Sequence, residues 1–164
     1  MASPAPSPYS ARLRLPCAVL GIRTAYGAVT AIEYLPGSAR TRAPADATAA
    51  LVVAQIERYL ADPQYRFTLP LAHPGSAFQQ RVRAALLQIP VGESRTYGEV
   101  ARALRSSPRA VGRACGANPL ALIVPCHRVV GSRGALGGFM QSAAGDPLAI
   151  KRWLLAHEGY RFGA

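Results

Sequence analysis

Three residues have the types and spacing to do nucleophilic chemistry together: Cys126, His127 and Glu158. A cysteine attacks as the thiolate, and an ordinary thiol pKa of about 8.5 leaves it mostly protonated at neutral pH. A neighbouring histidine could take that proton, directly or through a water. Each pairing carries a geometric condition. Adjacent side chains in an extended strand point to opposite faces, so Cys126 and His127 cooperate only if the chain turns there. Pro125 favours such a turn; without it, the pair is a buried cysteine beside an unrelated histidine. Glu158 follows a helix, at the end where the macrodipole disfavours a carboxylate. A buried histidine partner would offset that cost, whereas a solvated glutamate at a frayed end would need none.

The elements around these residues can be read from local signals. Leu120 to Val124 is an apolar run that reads as a buried strand leading into Pro125-Cys126-His127-Arg128. The last helix starts at Asp146-Pro147, an N-cap with proline at the first helical position. Ile150, Trp153, Leu154 and His157 share one face, and Gly159 ends it. Upstream, Thr96-Tyr97-Gly98-Glu99 fits a capping box for a helix running to about Leu104. Arg105-Ser106-Ser107 is a turn, and Ser107-Pro108 starts a second helix to about Ala117. Asn118-Pro119 stops it, with asparagine expected in the left-handed cap. Two short helices joined this way match a helix-turn-helix. On the second helix Val111, Ala114 and Cys115 can point inward, while Arg109, Gly112, Arg113 and Gly116 form the opposite face. Paired glycines and arginines there suit close approach of a phosphate backbone or groove, and no long base-reading amide is present. A small-residue helix packed on a neighbour is the competing reading of that face.

The rest of the chain shows no chemical motif. Ala18–Ile22 and Val29–Leu35 read as strands, with Tyr26-Gly27 as the turn. Residues 46–61 read as a helix on the spacing of Ala49, Val52, Val53, Ile56 and Leu60. Tyr65, Phe67, Leu69 and Leu71 alternate as a strand with one buried face would, and Pro70 to Gly75 reads as a linker. Ser76 to Leu87 carries a further helical pattern. The 164 residues suit one domain or two small ones, with a division expected between 1–74 and 75–164. No CxxC or HxxxH spacing brings Cys17 or His73 near a metal ligand set.

Composition narrows the class. Half the residues are hydrophobic, a globular and not a disordered composition. No run of about 20 apolar residues could span a membrane, and the first ten residues lack the charged and apolar regions of a signal peptide. Three widely separated cysteines make no disulfide framework, which fits a reducing cytoplasm. The net charge of +11 is uneven: residues 1–74 carry +3 and residues 75–164 carry +8, as expected if the second half meets phosphates.

Taken in order, the motifs resemble the O6-alkylguanine-DNA alkyltransferase family, the methylated-DNA–protein-cysteine methyltransferases. The resemblance is carried by Phe78-Gln79, Ile89-Pro90-Val91-Gly92, Thr96 to Glu99, Arg109-Ala110-Val111-Gly112, Gly116 to Pro119, Pro125 to Val130 and Leu154 to Gly159. It implies an α+β protein with a small ribonuclease-H-like N-terminal domain and a mostly helical winged-helix or helix-turn-helix C-terminal domain. It implies single-turnover repair, in which Cys126 accepts the alkyl group of O6-alkylguanine flipped out of double-stranded DNA. His127 would then be the base acting through water, and Glu158 the group that orients it. Asn118 would be the hinge joining recognition helix to active-site segment. Arg109 would enter the duplex; Tyr97 would rotate the 3′ phosphate and help protonate the leaving guanine. The Val129 backbone would contact the base, Ser132 would touch DNA, and Cys115, Phe139 and Met140 would line the base pocket.

The resemblance further implies no cofactor and no metal, a monomer in solution, and leaves cooperative assembly on DNA open. O4-alkylthymine would be a further lesion. The chain departs from the family after Gly137-Gly138, where Phe139 to Gly145 makes a longer loop. Two other classes compete. A non-enzymatic alkyl-lesion-binding protein of this family would lack the acceptor cysteine that Cys126 supplies. A cysteine hydrolase would leave the helix-turn-helix unexplained.

Overall fold

A computed structural model describes residues 7–72, 75–139 and 146–162. A three-stranded antiparallel sheet comes first, formed by β1 (Ala11–Arg14), β2 (Val19–Ala25) and β3 (Ala28–Leu35) in that order. Strands β2 and β3 join through Tyr26 and Gly27, both at positive φ (50° and 73°), the two-residue turn whose twist matches the strands. The glycine adopts this conformation without cost, while Tyr26 leaves its ring fully in solvent.

Helix α1 (Ala47–Ala61) packs on this sheet through Ala49, Val52, Ile56 and Tyr59, which recur at helical spacing. The Asp46 side chain caps its N-terminus by accepting from the Ala49 N–H. Residues after α1 keep the expected in-and-out alternation, with Tyr65, Phe67 and Leu69 half-buried, yet they form no strand. Only Leu71 pairs, in an isolated bridge to Val29. The physical reason is local. Pro70 has no N–H to give a ladder, and the Gln55 side chain accepts the Thr68 N–H at 2.9 Å in place of a neighbouring strand.

The second half is helical. Helix α2 (Ala77–Leu87) begins at a Ser76–Gln79 capping box. A short strand β4 (Arg95–Thr96) leads directly into α3 (Tyr97–Leu104), and α4 (Pro108–Gly116) follows after a turn. The Thr96–Glu99 capping box and the Ser107 cap with Pro108 form as the sequence predicts. Arg105 closes α3 in the left-handed conformation, φ 53°, so the tight turn bends at an arginine. The stop after α4 differs from expectation. Its C-cap is Ala117 at φ −91°, and Asn118 is not left-handed. Asn118 instead spends its side chain on the segment that follows.

That segment, Leu120 to Val124, is buried throughout but is a turn, not a strand. Leu120 makes one bridge to Ile32, Leu122 sits at φ 70°, and the Val124 N–H returns to the Leu120 carbonyl at 3.0 Å. An apolar run is buried either way; what decides is that β3 offers partners at a single residue. The chain then makes a 3₁₀ turn over Cys126–Arg128 and a short strand β5 (Val129–Val130), parallel to β4. Helix α5 (Pro147–His157) ends the fold, capped by Asp146 and stopped by Gly159 at φ 81°.

One hydrophobic core runs through both halves, from Ala11 and Ile32 to Val111, Val129 and Leu154. The N–H of Ile32 donates to the Pro119 carbonyl at 2.8 Å, so the first sheet is tied directly to the segment ahead of Cys126. The fold is thus α+β, as expected.

The Thr96 cap is shared by β4 and α3, which frame this segment. Thr96→Ala is expected to cost about 1 kcal/mol, read as a lower urea midpoint at unchanged slope.

Candidate active site

The 3₁₀ turn meets the condition set by adjacency. Pro125 (φ −82°, ψ 67°) starts it, and the Arg128 N–H closes it on the Pro125 carbonyl at 3.0 Å. Within this turn the two side chains find separate partners. The Cys126 sulfur accepts from the Asn118 amide at 2.9 Å and lies 3.5 Å from the Cys115 carbonyl oxygen. His127 Nε2 lies 2.7 Å from Glu158 Oε1.

Glu158 is almost completely buried and gathers four donor contacts. Besides His127, Arg128 reaches it with Nε at 2.9 Å and a terminal nitrogen at 3.0 Å, and the Tyr59 hydroxyl donates at 2.9 Å. Arg128 gives its remaining terminal nitrogen to the Ile89 carbonyl at 2.6 Å. Burial alone would raise the Glu158 carboxyl; the hydrogen bonds and charges of His127 and Arg128 outweigh it and hold it at about 2. Burial likewise lowers the His127 pKa against the pull of Glu158, so the ring is neutral at pH 7. A carboxylate only accepts, so Nε2 carries the ring proton and Nδ1 is left as the basic nitrogen.

Cys126 itself is held well above the ordinary thiol range, first by the Cys115 thiol beside it and then by burial. The Asn118 amide and the Lys151 ammonium oppose this. A base is therefore needed to release its proton. Asn118 also donates to the Val124 carbonyl at 3.1 Å and accepts the Leu120 N–H at 3.0 Å. One side chain thus links the end of α4, the buried turn and the reactive sulfur.

The sulfur faces a cavity of about 520 Å³. Tyr97, Arg109, Gly112, Cys115, Gly116 and Phe139 line it with Cys126. The Tyr97 hydroxyl donates to the Gly138 carbonyl at 2.9 Å, and burial pushes its pKa up to about 12. Arg109 and Arg113 are both exposed on α4, but only Arg109 borders the cavity. Arg102, Arg105 and Arg133 are exposed as well, with no acidic residue on α4. Ser132 is exposed in a short 3₁₀ turn after β5, away from the cavity lining. The Val129 side chain is fully buried and lines no part of the cavity. Met140 lies outside the described residues. Among the described residues no group of three or more metal-ligating side chains converges.

Three participants are absent from the sequence reading. Arg128 stands inside the motif but received no role. Tyr59 sits three residues after Ile56 on the buried face of α1, a spacing that also suits plain packing. Lys151 is the chain's sole lysine, and it is fully buried, three residues before Leu154. Its ammonium holds the Leu136 and Gly138 carbonyls at 2.5 and 3.0 Å and lies 5.7 and 5.8 Å from the Tyr97 and Phe139 rings. Burial lowers its pKa to about 8.

The sign of the acid response follows from these shifts. A carboxylate depressed to about 2 from 4.5 stabilises the fold above the upper value and loses that contribution as pH falls toward the lower. His127, with its pKa also depressed, adds a loss below about 6.5, because the unfolded chain then binds the extra proton. Glu158→Gln is expected to lower stability at pH 7 by about 3 kcal/mol, since it leaves Arg128 buried without its counter-charge. Its stability should then vary less than that of the parent between pH 5 and pH 2, as followed by chemical denaturation.

Residues 77–160 match the family model described as 6-O-methylguanine DNA methyltransferase, DNA binding domain. A methylated-DNA–protein-cysteine methyltransferase of Methanosarcina acetivorans is 48% identical over 107 residues, covering 64% of this chain and 65% of the relative. The constitutive enzyme of that name from Bacillus subtilis is 46% identical over 103 residues, 62% of this chain and 60% of its own. The matched region thus spans somewhat under two thirds of these two relatives. The crystal structure of a Mycobacterium tuberculosis OGT in complex with DNA superposes with TM-score 0.75 at 38% identity, covering 90% of both chains. The match over residues 77–160 and the likeness across both halves establish that this chain belongs to the 6-O-methylguanine DNA methyltransferase family.

Proposed function

We propose that this protein repairs alkylated DNA by moving the alkyl group of O6-alkylguanine onto Cys126. One observation carries the reading. A buried cysteine sulfur, held by Asn118, faces a cavity of about 520 Å³ whose other border is the arginine-bearing helix α4. That volume lies within the roughly 300–1,000 Å³ of small-ligand pockets, and the helix suits the backbone of a duplex from which a base has been flipped.

The steps follow from the groups in place. His127 Nδ1 takes the Cys126 proton through a water, and Glu158 stabilises the resulting imidazolium. Arg128 and Tyr59 keep Glu158 ionised and fixed, so that it orients the ring without taking a proton. The thiolate attacks the alkyl carbon in line with the leaving oxygen. The carbon–sulfur bond forms, the carbon–oxygen bond breaks, and guanine leaves as its O6 or ring nitrogen is protonated, with Tyr97 assisting. The product is a thioether that water does not cleave, so each chain acts once, and the reaction as written uses no cofactor.

Arg109 enters the duplex in place of the flipped base, and Tyr97 turns the adjoining phosphate. Gly112 and Gly116 let the backbone approach, while Arg113 and Ser132 contact phosphate. Cys115, Phe139 and the Val129 backbone surround the base. Residues 75–164 form the DNA-binding and acceptor domain on the support of 1–74. The chain acts as a monomer in the cytoplasm, and O4-alkylthymine is a second lesion.

An intact-mass measurement tests the central claim. After incubation with a duplex carrying O6-methylguanine, the protein should gain one methyl group, and Cys126→Ser should gain none. Binding of the duplex with no mass change would sink the reading. Arg109→Ala should slow transfer from duplex by at least about tenfold while sparing transfer from free O6-benzylguanine, since the residue acts on the helix and not on the bond.

A further inference from the structure

Two of the three cysteines occupy one wall of the cavity, and the mechanism uses only one of them. Cys115 ends the last turn of α4, and Cys126 opens the 3₁₀ turn. The Cys126 sulfur lies 3.5 Å from the Cys115 carbonyl, and both residues border the same cavity. Asn118 braces both ends of the connection. Its backbone N–H donates to the Cys115 carbonyl at 3.2 Å, and its amide donates to the Cys126 sulfur at 2.9 Å. The Lys151 ammonium acts on both sulfurs and favours a thiolate on the pair. Both cysteines are shielded from bulk solvent, yet the cavity they line admits small solutes. Cys17 stands apart, half-buried in the first half, with its pKa pushed up to about 11 by burial.

We propose that Cys115 and Cys126 are a reversible oxidation site, closing to a disulfide when a peroxide enters the cavity. The thiolate of the pair attacks one oxygen of hydrogen peroxide, the oxygen–oxygen bond breaks, and a sulfenic acid forms; the departing hydroxide takes up the proton the thiol had lost and leaves as water. The second sulfur attacks the first; the sulfur–oxygen bond breaks, the sulfur–sulfur bond forms, and a second water leaves with the remaining thiol proton. Two electrons pass from the thiols to the peroxide. Pairing stops oxidation short of the sulfinic acid, which ordinary thiols do not reverse. It also masks the sulfur that accepts the alkyl group, a consequence that rests on the function proposed above; the disulfide does not.

The native full-length chain tests this without any substitution. After hydrogen peroxide treatment, free thiols are capped with iodoacetamide and the chain is cut with trypsin. Arg113 and Arg128 flank both cysteines, so one peptide, residues 114–128, carries the pair. That peptide is expected uncapped and lighter by two hydrogens than its reduced form, becoming doubly capped if dithiothreitol precedes capping. Cys17 should be capped throughout. Methyl transfer should vanish with oxidation and return with dithiothreitol, while Cys115→Ser, scaled to its own untreated activity, should lose transfer irreversibly to a sulfinic acid. A sulfinic acid on Cys126 with Cys115 still capped in the native chain would overturn the proposal. So would full recovery of the variant. A disulfide in a chain that transfers no methyl group even before oxidation would leave the pair standing and remove the alkyl-acceptor reading instead.

Discussion

The site depends on one buried charge. Glu158 sits at the C-terminal end of α5, where the helix dipole opposes a carboxylate, and it is removed from water as well. Two penalties on one group are tolerated because four donor contacts converge on it, two of them from a guanidinium. The arrangement then fixes everything near it. An ionised Glu158 dictates the tautomer of His127, and that tautomer aims the basic nitrogen away from the carboxylate. The same interaction ties α5 to the 3₁₀ turn and, through Tyr59, to α1 in the first half.

Asn118 plays the matching part on the other side of the sulfur. Its amide and carbonyl oxygen contact Val124, Leu120 and Cys126, three points along a segment with no regular ladder of its own. A segment that is apolar, buried and irregular needs its backbone groups satisfied one at a time. Asn118 satisfies two of them and places the sulfur as it does so. The helix that bears the arginines and the sulfur that faces the cavity are therefore set by a single side chain.

What the sequence revealed and what it hid divide by the range of the interaction. Caps are local, so Thr96-Glu99, Ser107-Pro108, Asp146-Pro147 and Gly159 marked their helix ends correctly. Strand pairing is not local. Tyr65 to Leu71 and Leu120 to Val124 have the burial expected of strands, but neither has a continuous partner. The same division runs through the site. Cys126, His127 and Glu158 could be proposed together because two are adjacent and the third stands at an energetically awkward helix end. Tyr59 could not, since its partner Glu158 is 99 positions away and its spacing is equally that of a core residue. Lys151 was hidden for a similar reason: its partners are backbone carbonyls in a loop, and carbonyls leave no mark in a sequence.

Lys151 carries one more implication. It is the chain's only source of an ε-amino group, and no part of it is exposed. Acylating reagents and enzymes that tag lysines require an accessible, neutral amine. While the loop at Leu136 and Gly138 stays closed over this one, side-chain amine chemistry has no target on the surface. The folded protein is therefore silent to such labelling apart from its N-terminus, and the appearance of a modified Lys151 would record each time the end of the fold has opened.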